Sequence, residues 1–146
     1  MIKTILDIIL VEDNAADVEM TLDALRQNNL ANRVKVLKDG EEASDYIFRQ
    51  GEYSDCGICE SPALILLDLH LPKISGIEIL KRIRSEERTK KIPVVVLTSS
   101  SQDQDRIESY KLGVNSYIVK PVEFESFAQA VAQIGYYWVI MNKSPF

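Results

Sequence analysis

Four short apolar runs in this chain each stop at a residue able to do chemistry. Ile5–Val11 runs into Glu12 and Asp13, Ala63–Leu67 into Asp68, Pro93–Leu97 into Thr98, and Ser116–Val119 into Lys120. Runs this short and this apolar read as buried strands, covered on both faces in the manner of a parallel sheet. In an open α/β sheet the functional edge lies at the carboxyl ends of the strands. Three carboxylates, a hydroxyl and an ammonium group are therefore expected at one edge, a set suited to holding a divalent cation and a phosphoryl group together.

Helical patterns fill the intervals. Asn14 opens the first, with Asp17 near its positive end and Val18, Leu22 and Leu25, helped by Ala15 and Ala24, as its buried stripe. Val34–Leu37 reads as a second strand, nearer the edge because its alternation is poor. Asp39 and Glu42 have the spacing of a capping box, and Ala43, Tyr46, Ile47 and Phe48 face inward from the helix that follows, to Gly51. Ser75 or Gly76 starts a helix with Ile79, Leu80 and Ile83 at its core, and the charged run Arg84–Lys91 reads as its solvated end. Asp103 or Asp105 begins a fourth helix with Ile107, Tyr110 and Leu112 as apolar positions, and Gly113 stops it. Glu123 begins a fifth, with Phe124, Phe127, Val131 and Ile134 at helical spacing. The alternation predicts an α/β fold, a doubly wound (βα)5 domain with five parallel strands over residues 1–146, and no linker to a second domain.

A net charge of -5, from 22 acids against 17 bases, offers no dense basic patch and argues against nucleic acid as a direct partner. No apolar stretch approaches bilayer length, so no membrane association is expected and the cytoplasm is the default location. There is no glycine-rich loop after the first run, which argues against a nucleotide cradle. Cys56 and Cys59 form a CxxC in a polar insertion; a zinc site needs two more ligands, and the chain has no further cysteine and one histidine, His70, in the loop after the third run, so only acids could in principle complete the set. In a reduced compartment the pair reads as incidental, with a regulatory disulfide as the other reading.

The blocks Ile9-Leu10-Val11-Glu12-Asp13-Asn14, Leu66-Leu67-Asp68-Leu69-His70-Leu71-Pro72, Gly76, Leu97-Thr98 and Val119-Lys120-Pro121 together resemble the receiver domain of two-component response regulators. Within that family the Ala15-Ala16-Asp17-Val18 opening, the insertion before the third strand and the Tyr136-Tyr137-Trp138 helix end are similar to single-domain regulators paired with cyanobacterial phytochromes. The resemblance implies that Asp68 accepts a phosphoryl group from a sensor histidine kinase, here a phytochrome. It also implies that Glu12, Asp13, Asp68 and the backbone carbonyl of His70 bind Mg²⁺, with Mn²⁺ as a substitute. Thr98 and Lys120 would contact the phosphoryl group, Tyr117 would be the aromatic switch, and Pro121 would follow a cis bond after Lys120. Ala15, Ala16 and Ser99 depart from common family residues without removing chemistry.

The chemistry agrees with the residue types. Three acids with no cation repel one another and raise at least one pKa, and Mg²⁺ relieves that repulsion. The aromatic end of the last helix, from about residue 135 to 146, carries more rings than one helix face buries. Some of these rings could form a satellite core under the tail; in the alternative reading Tyr110, Phe124, Phe127, Tyr137 and Trp138 are candidates for a homodimer interface through the fourth helix, fifth strand and fifth helix. Two other functions fit the same residues: a phosphorelay shuttle or phosphate sink, and a non-phosphorylating protein-interaction scaffold.

Overall fold

The computed structural model describes residues 8–27, 29–30, 34–55, 62–99, 102–120 and 124–142, apart from the side chains of Asp103, Phe124, Phe127 and Ala128. Strands β1 (Ile8–Val11), β2 (Val34–Leu37), β3 (Leu64–Leu67), β4 (Val94–Thr98) and β5 (Ser116–Val119) form one parallel sheet in the order β2-β1-β3-β4-β5. Helices α1 (Ala15–Arg26), α2 (Gly40–Phe48), α3 (Gly76–Ser85), α4 (Asp103–Lys111) and α5 (Phe124–Tyr136) connect and follow them. The strand order reverses direction at β1, so the crevice beyond β1 and β3 is the topological switch point where α/β folds place ligands.

The two-residue period of a strand splits the core into two layers. Ile9, Val11, Ile65, Leu67, Val94 and Val96 face α2 and α3, meeting Ala43, Tyr46, Ile47, Phe48, Ile79, Leu80 and Ile83. Ile8, Leu10, Leu64, Leu66, Val95 and Leu97 face the other way, meeting Val18, Ala24 and Leu25 of α1 and Val131 of α5. The central strands β1, β3 and β4 are buried at every position, whereas β2, at the sheet edge, is only half-buried over most of its length.

Caps largely follow the sequence. Asn14 and Asp39 accept from Asp17 N–H (2.9 Å) and Glu42 N–H (2.7 Å), and Ser75 accepts from Glu78 N–H (3.3 Å). The Asp39 box is not reciprocal in the expected way: Glu42 accepts from Lys38 N–H at 3.4 Å. Helix α2 ends at Phe48, before Gly51, because Arg49 takes the left-handed conformation (φ 54°), and Gly51 starts a short 3-10 turn to Tyr53. Ala15 is exposed and Thr21 takes its place in the buried stripe of α1, its hydroxyl bonded back to the Asp17 carbonyl. The segment bearing Cys56 and Cys59 lies outside the described residues.

The end of α3 differs most from expectation. Arg84 is not solvated: its guanidinium donates to the carbonyls of Lys90, Ile92, Leu112 and Gly113 at 2.7–3.0 Å. The five N–H groups of one planar fork suit this task, since carbonyls from two separate turns point at one place. Arg88 donates to the Ile47 carbonyl (2.6 Å), and the buried Thr89 hydroxyl donates to the Ile83 carbonyl (2.8 Å). Arg84, Arg88 and Thr89 thus form a polar clamp between α3, α2 and the turns flanking β4 and β5, while Ser85, Glu87 and Lys91 of the same run are exposed as expected. Helix α4 differs in the opposite sense: Ile107 and Tyr110 are more than half exposed, and among its described side chains the buried one is Ser109.

Arg84→Ala is expected to lower the unfolding free energy by about 2–3 kcal/mol, because several carbonyls lose a charged donor together. Arg84→Lys should recover less than half of that loss, since an ammonium cannot reach both turns. Urea unfolding of the three proteins measures both effects.

Candidate functional site

The site is built by continuing the sheet ladder one residue past each strand. Glu12 N–H donates to the Leu37 carbonyl (3.0 Å), Asp68 N–H to the Val11 carbonyl (3.0 Å), and Lys120 N–H to the Thr98 carbonyl (2.7 Å). Val11 pairs with Leu67 and Thr98 with Val119, so Glu12 is in register with Asp68, and Lys120 follows directly on Thr98's partner. The backbone thereby places the acids and the lysine before their side chains make any contact.

Ligand oxygens of Glu12, Asp13 and Asp68 all lie within 4.8 Å of one another. Glu12 and Asp68 are buried and Asp13 is exposed. Hard carboxylate oxygens in this spacing fit a Mg²⁺- or Mn²⁺-sized cation, with waters completing its shell. Lys120 Nζ enters the same cluster, 3.1 Å from Asp68 Oδ2, 3.1 Å from Asp17 Oδ2 and in contact with Glu12. Its side chain is only 8% exposed. Asp68 Oδ1 accepts the His70 N–H at 3.1 Å, so both oxygens of this carboxylate have donors.

Burial pushes the Glu12 carboxyl up to about 7, more than its bond to Lys120 pulls it down, and the charge of Asp68 adds to the rise. The raised acid expected of the cluster is therefore Glu12, and desolvation outweighs repulsion as its cause. Burial works against the Lys120 ammonium, but the bond to Glu12 and the charge of Asp68 more than offset it and hold its pKa above the ordinary lysine value.

Behind Asp68 the loop to α3 is fixed by two close approaches. A Cβ on Gly76 would stand 2.2 Å from the Asp68 carbonyl oxygen, and one on Gly40 would stand 1.9 Å from that of Ile74. Gly76 N–H donates to Leu69 and Gly40 N–H to Pro72, at 2.9 and 3.0 Å. Any side chain at either position would lift the loop off α2 and α3, and the His70 backbone with it.

The other expected residues are placed as follows. Thr98 is fully buried at the end of β4. The His70 side chain is 59% exposed and pairs with Asp105 of α4 at 3.7 Å, leaving only its backbone in the loop beside Asp68. Tyr117 is half-buried on β5, packed against the core layer of α2 and α3. Pro121 and its peptide bond lie outside the described residues, as do the side chains of Phe124 and Phe127. Tyr110 and Tyr137 are about half exposed. Trp138 packs partly against the layer of α1 and α5, so it contributes to the domain's own core. Asp17 and Asp105 were not expected at the site. Asp17 is legible only as a helix-start acid, and its meeting with Lys120 depends on the packing of the folded chain.

A cation must displace the Glu12 proton, so affinity depends on pH with a definite sign. With Glu12 at about 7, Mg²⁺ should bind about tenfold more weakly at pH 6 than at pH 8. Calorimetric titration at the two pH values measures this, and Glu12→Gln should flatten the dependence.

Comparison with known proteins accounts for the arrangement. The family model for the response regulator receiver domain matches residues 8–132. A probable methanogenesis regulatory protein, FilR2 of Methanothrix harundinacea, is 41% identical over 94% of this chain and 86% of its own length. The crystal structure of a phosphorylated cyanobacterial phytochrome response regulator, RcpA, superposes with a TM-score of 0.85 at 40% identity, over 95% of this chain and 97% of that one. The Mn²⁺-bound response regulator Rcp1 does so with a TM-score of 0.85 at 37% identity, over 95% and 98%. Rcp1 of Synechocystis is 39% identical over 90% of this chain and 88% of its own length. Sheet order, acid cluster and lysine thus coincide with a match along most of the sequence, and this chain belongs to the family of response regulator receiver domains.

Proposed function

We propose that this protein is a phosphorylation-controlled switch, with Asp68 as the acceptor and a histidine kinase, of the phytochrome class, as the donor. The observation that carries the reading is the state of the Asp68 carboxylate. It is buried at a strand end, held at one oxygen by the His70 N–H and at the other by Lys120, beside two more acids that complete an oxygen cluster. RcpA, a phosphorylated phytochrome regulator, and Mn²⁺-bound Rcp1 support the donor class and the divalent cation.

Glu12, Asp13 and Asp68 would hold Mg²⁺, with the His70 carbonyl as a further oxygen; the cation neutralises charge on the acid cluster and the transferring group. Asp68 supplies the attacking oxygen. Its new O–P bond forms as the N–P bond of a phosphohistidine breaks, and the departing imidazole nitrogen is left to take a proton. Lys120 steadies the phosphoryl oxygens by charge. The Thr98 hydroxyl then donates to the phosphoryl group, drawing the following loop with it and opening space for Tyr117.

The output surface in this reading is α4, the edge strand β5 and the end of α5. Ile107, Tyr110, Val119, Tyr137, Ile140 and Met141 are all exposed there, an apolar set that a second copy of the chain would cover. The five residues Tyr137–Met141 form a π-helical turn that continues α5.

Intact-mass analysis after incubation with acetyl phosphate tests the acceptor. One phosphoryl adduct is expected with Mg²⁺, none with EDTA and none in Asp68→Asn; an undiminished adduct in the variant excludes Asp68. For the output surface, Tyr137→Ser combined with Ile140→Ser should shift sedimentation toward the monomer, and identical sedimentation of the variant and the parent removes this surface from self-association.

A further inference from the structure

The three carboxylates around the Lys120 ammonium are not equivalent. Glu12 and Asp68 belong to the oxygen cluster that fits a divalent cation, and Asp17 does not. Asp17 stands in the first turn of α1, its N–H bonded to Asn14 Oδ1 (2.9 Å) and its carbonyl accepting the Thr21 hydroxyl (2.8 Å). The helix thus fixes the backbone of Asp17 while its carboxylate, 28% exposed, reaches Lys120 at 3.1 Å. This contact joins residues 103 positions apart and ties α1 to the end of β5.

A cation bound by Glu12, Asp13 and Asp68 competes with the ammonium for two of its three partners, and it also repels the ammonium directly. A lysine with no other anchor would turn out toward water, where its charge no longer serves the acceptor. The lysine stem is flexible and its charge compact, so an anchor outside the cation's ligand set decides where it rests.

We propose that Asp17 is a positioning residue for Lys120: it holds the ammonium beside Asp68 once a divalent cation has taken Glu12. This rests on the cation assignment made above. It also gives the carboxylate a role beyond favouring the start of α1, where an acid interacts with the helix dipole whether or not a cation is present.

The test reads the accessibility of the lysine and needs no phosphoryl transfer. Folded wild type, Asp17→Ala and Asp17→Asn are treated briefly with an amine-acetylating ester, with EDTA or with saturating Mg²⁺, and acetylation at Lys120 is read by peptide mass spectrometry. Wild-type Lys120 should stay protected in both conditions. In Asp17→Ala it should stay protected in EDTA, where Glu12 and Asp68 hold it, and should label about tenfold faster with Mg²⁺, the effect of one lost charge-assisted hydrogen bond. Asp17→Asn, which keeps an acceptor without the charge, should fall between. Equal protection of all three proteins in Mg²⁺ overturns the proposal, as does equal exposure of the variants in both conditions, which marks a purely structural acid. Calorimetry of the wild type separates the two assignments: absence of Mg²⁺ binding overturns the cation site and the role of Asp17 together, whereas normal binding with unchanged protection overturns Asp17 alone.

Discussion

One buried ammonium group holds the functional edge of this protein together. A parallel sheet that ends β1 in two acids and β3 in another brings like charges into contact, and nothing in the ladder relieves them. Lys120 does so from β5 by bonding Glu12, Asp17 and Asp68 at once. Burial, with the charge of Asp68 added, leaves Glu12 reluctant to ionise, while the surrounding acids keep Lys120 charged despite its own burial. A divalent cation is the natural complement of such a cluster, and the same crowding of acids makes the pocket responsive to any change in charge at Asp68.

The rest of the site is held by backbone. Three ladder bonds run past the strand ends, and the loop after Asp68 is pressed against α2 and α3 at two glycines. Lys73, with φ 73°, turns that loop outward and pairs with Asp39 and Glu41 at the start of α2. Asp68 is therefore mounted where the backbone is held by ladder bonds and close packing. The exposed side chains of α4 and the end of α5 lie at the other extreme, with apolar groups facing solvent.

The sheet and the acid cluster were legible because both follow from short-range patterns. An apolar run gives a buried strand, and the residue that breaks the run lands on the edge. Asn14, Asp39 and Ser75 were legible as helix starts for the same reason. Contacts made by long polar side chains across large separations were not. Arg84 reads as surface charge because its four acceptors are backbone carbonyls, which leave no trace in residue identity. Asp17 reads as a helix-start acid because its partner lies at the far end of the chain. The apolar residues of α4 suggest a buried stripe, but Ile107 and Tyr110 face solvent and Ser109 faces the core. Periodicity marks a face without saying what covers it.

The Arg84 clamp also sets the mechanics of α4. Two of its four carbonyls, Leu112 and Gly113, immediately follow the last turn of that helix, so this end is pinned to α3. Farther along, α4 is tied by the ion pair Lys81–Glu108 (3.1 Å) and by the contact of the exposed His70 ring with Asp105 (3.7 Å). With its C-terminal end pinned in this way, the helix has the geometry of a lever whose fulcrum lies at that end. At nine residues it is about 13 Å long, so a tilt of about 5° carries its tip roughly 1 Å while the fulcrum stays still. A displacement at the N-terminal end of α4 would thus be a change of angle for its exposed residues Ile107 and Tyr110.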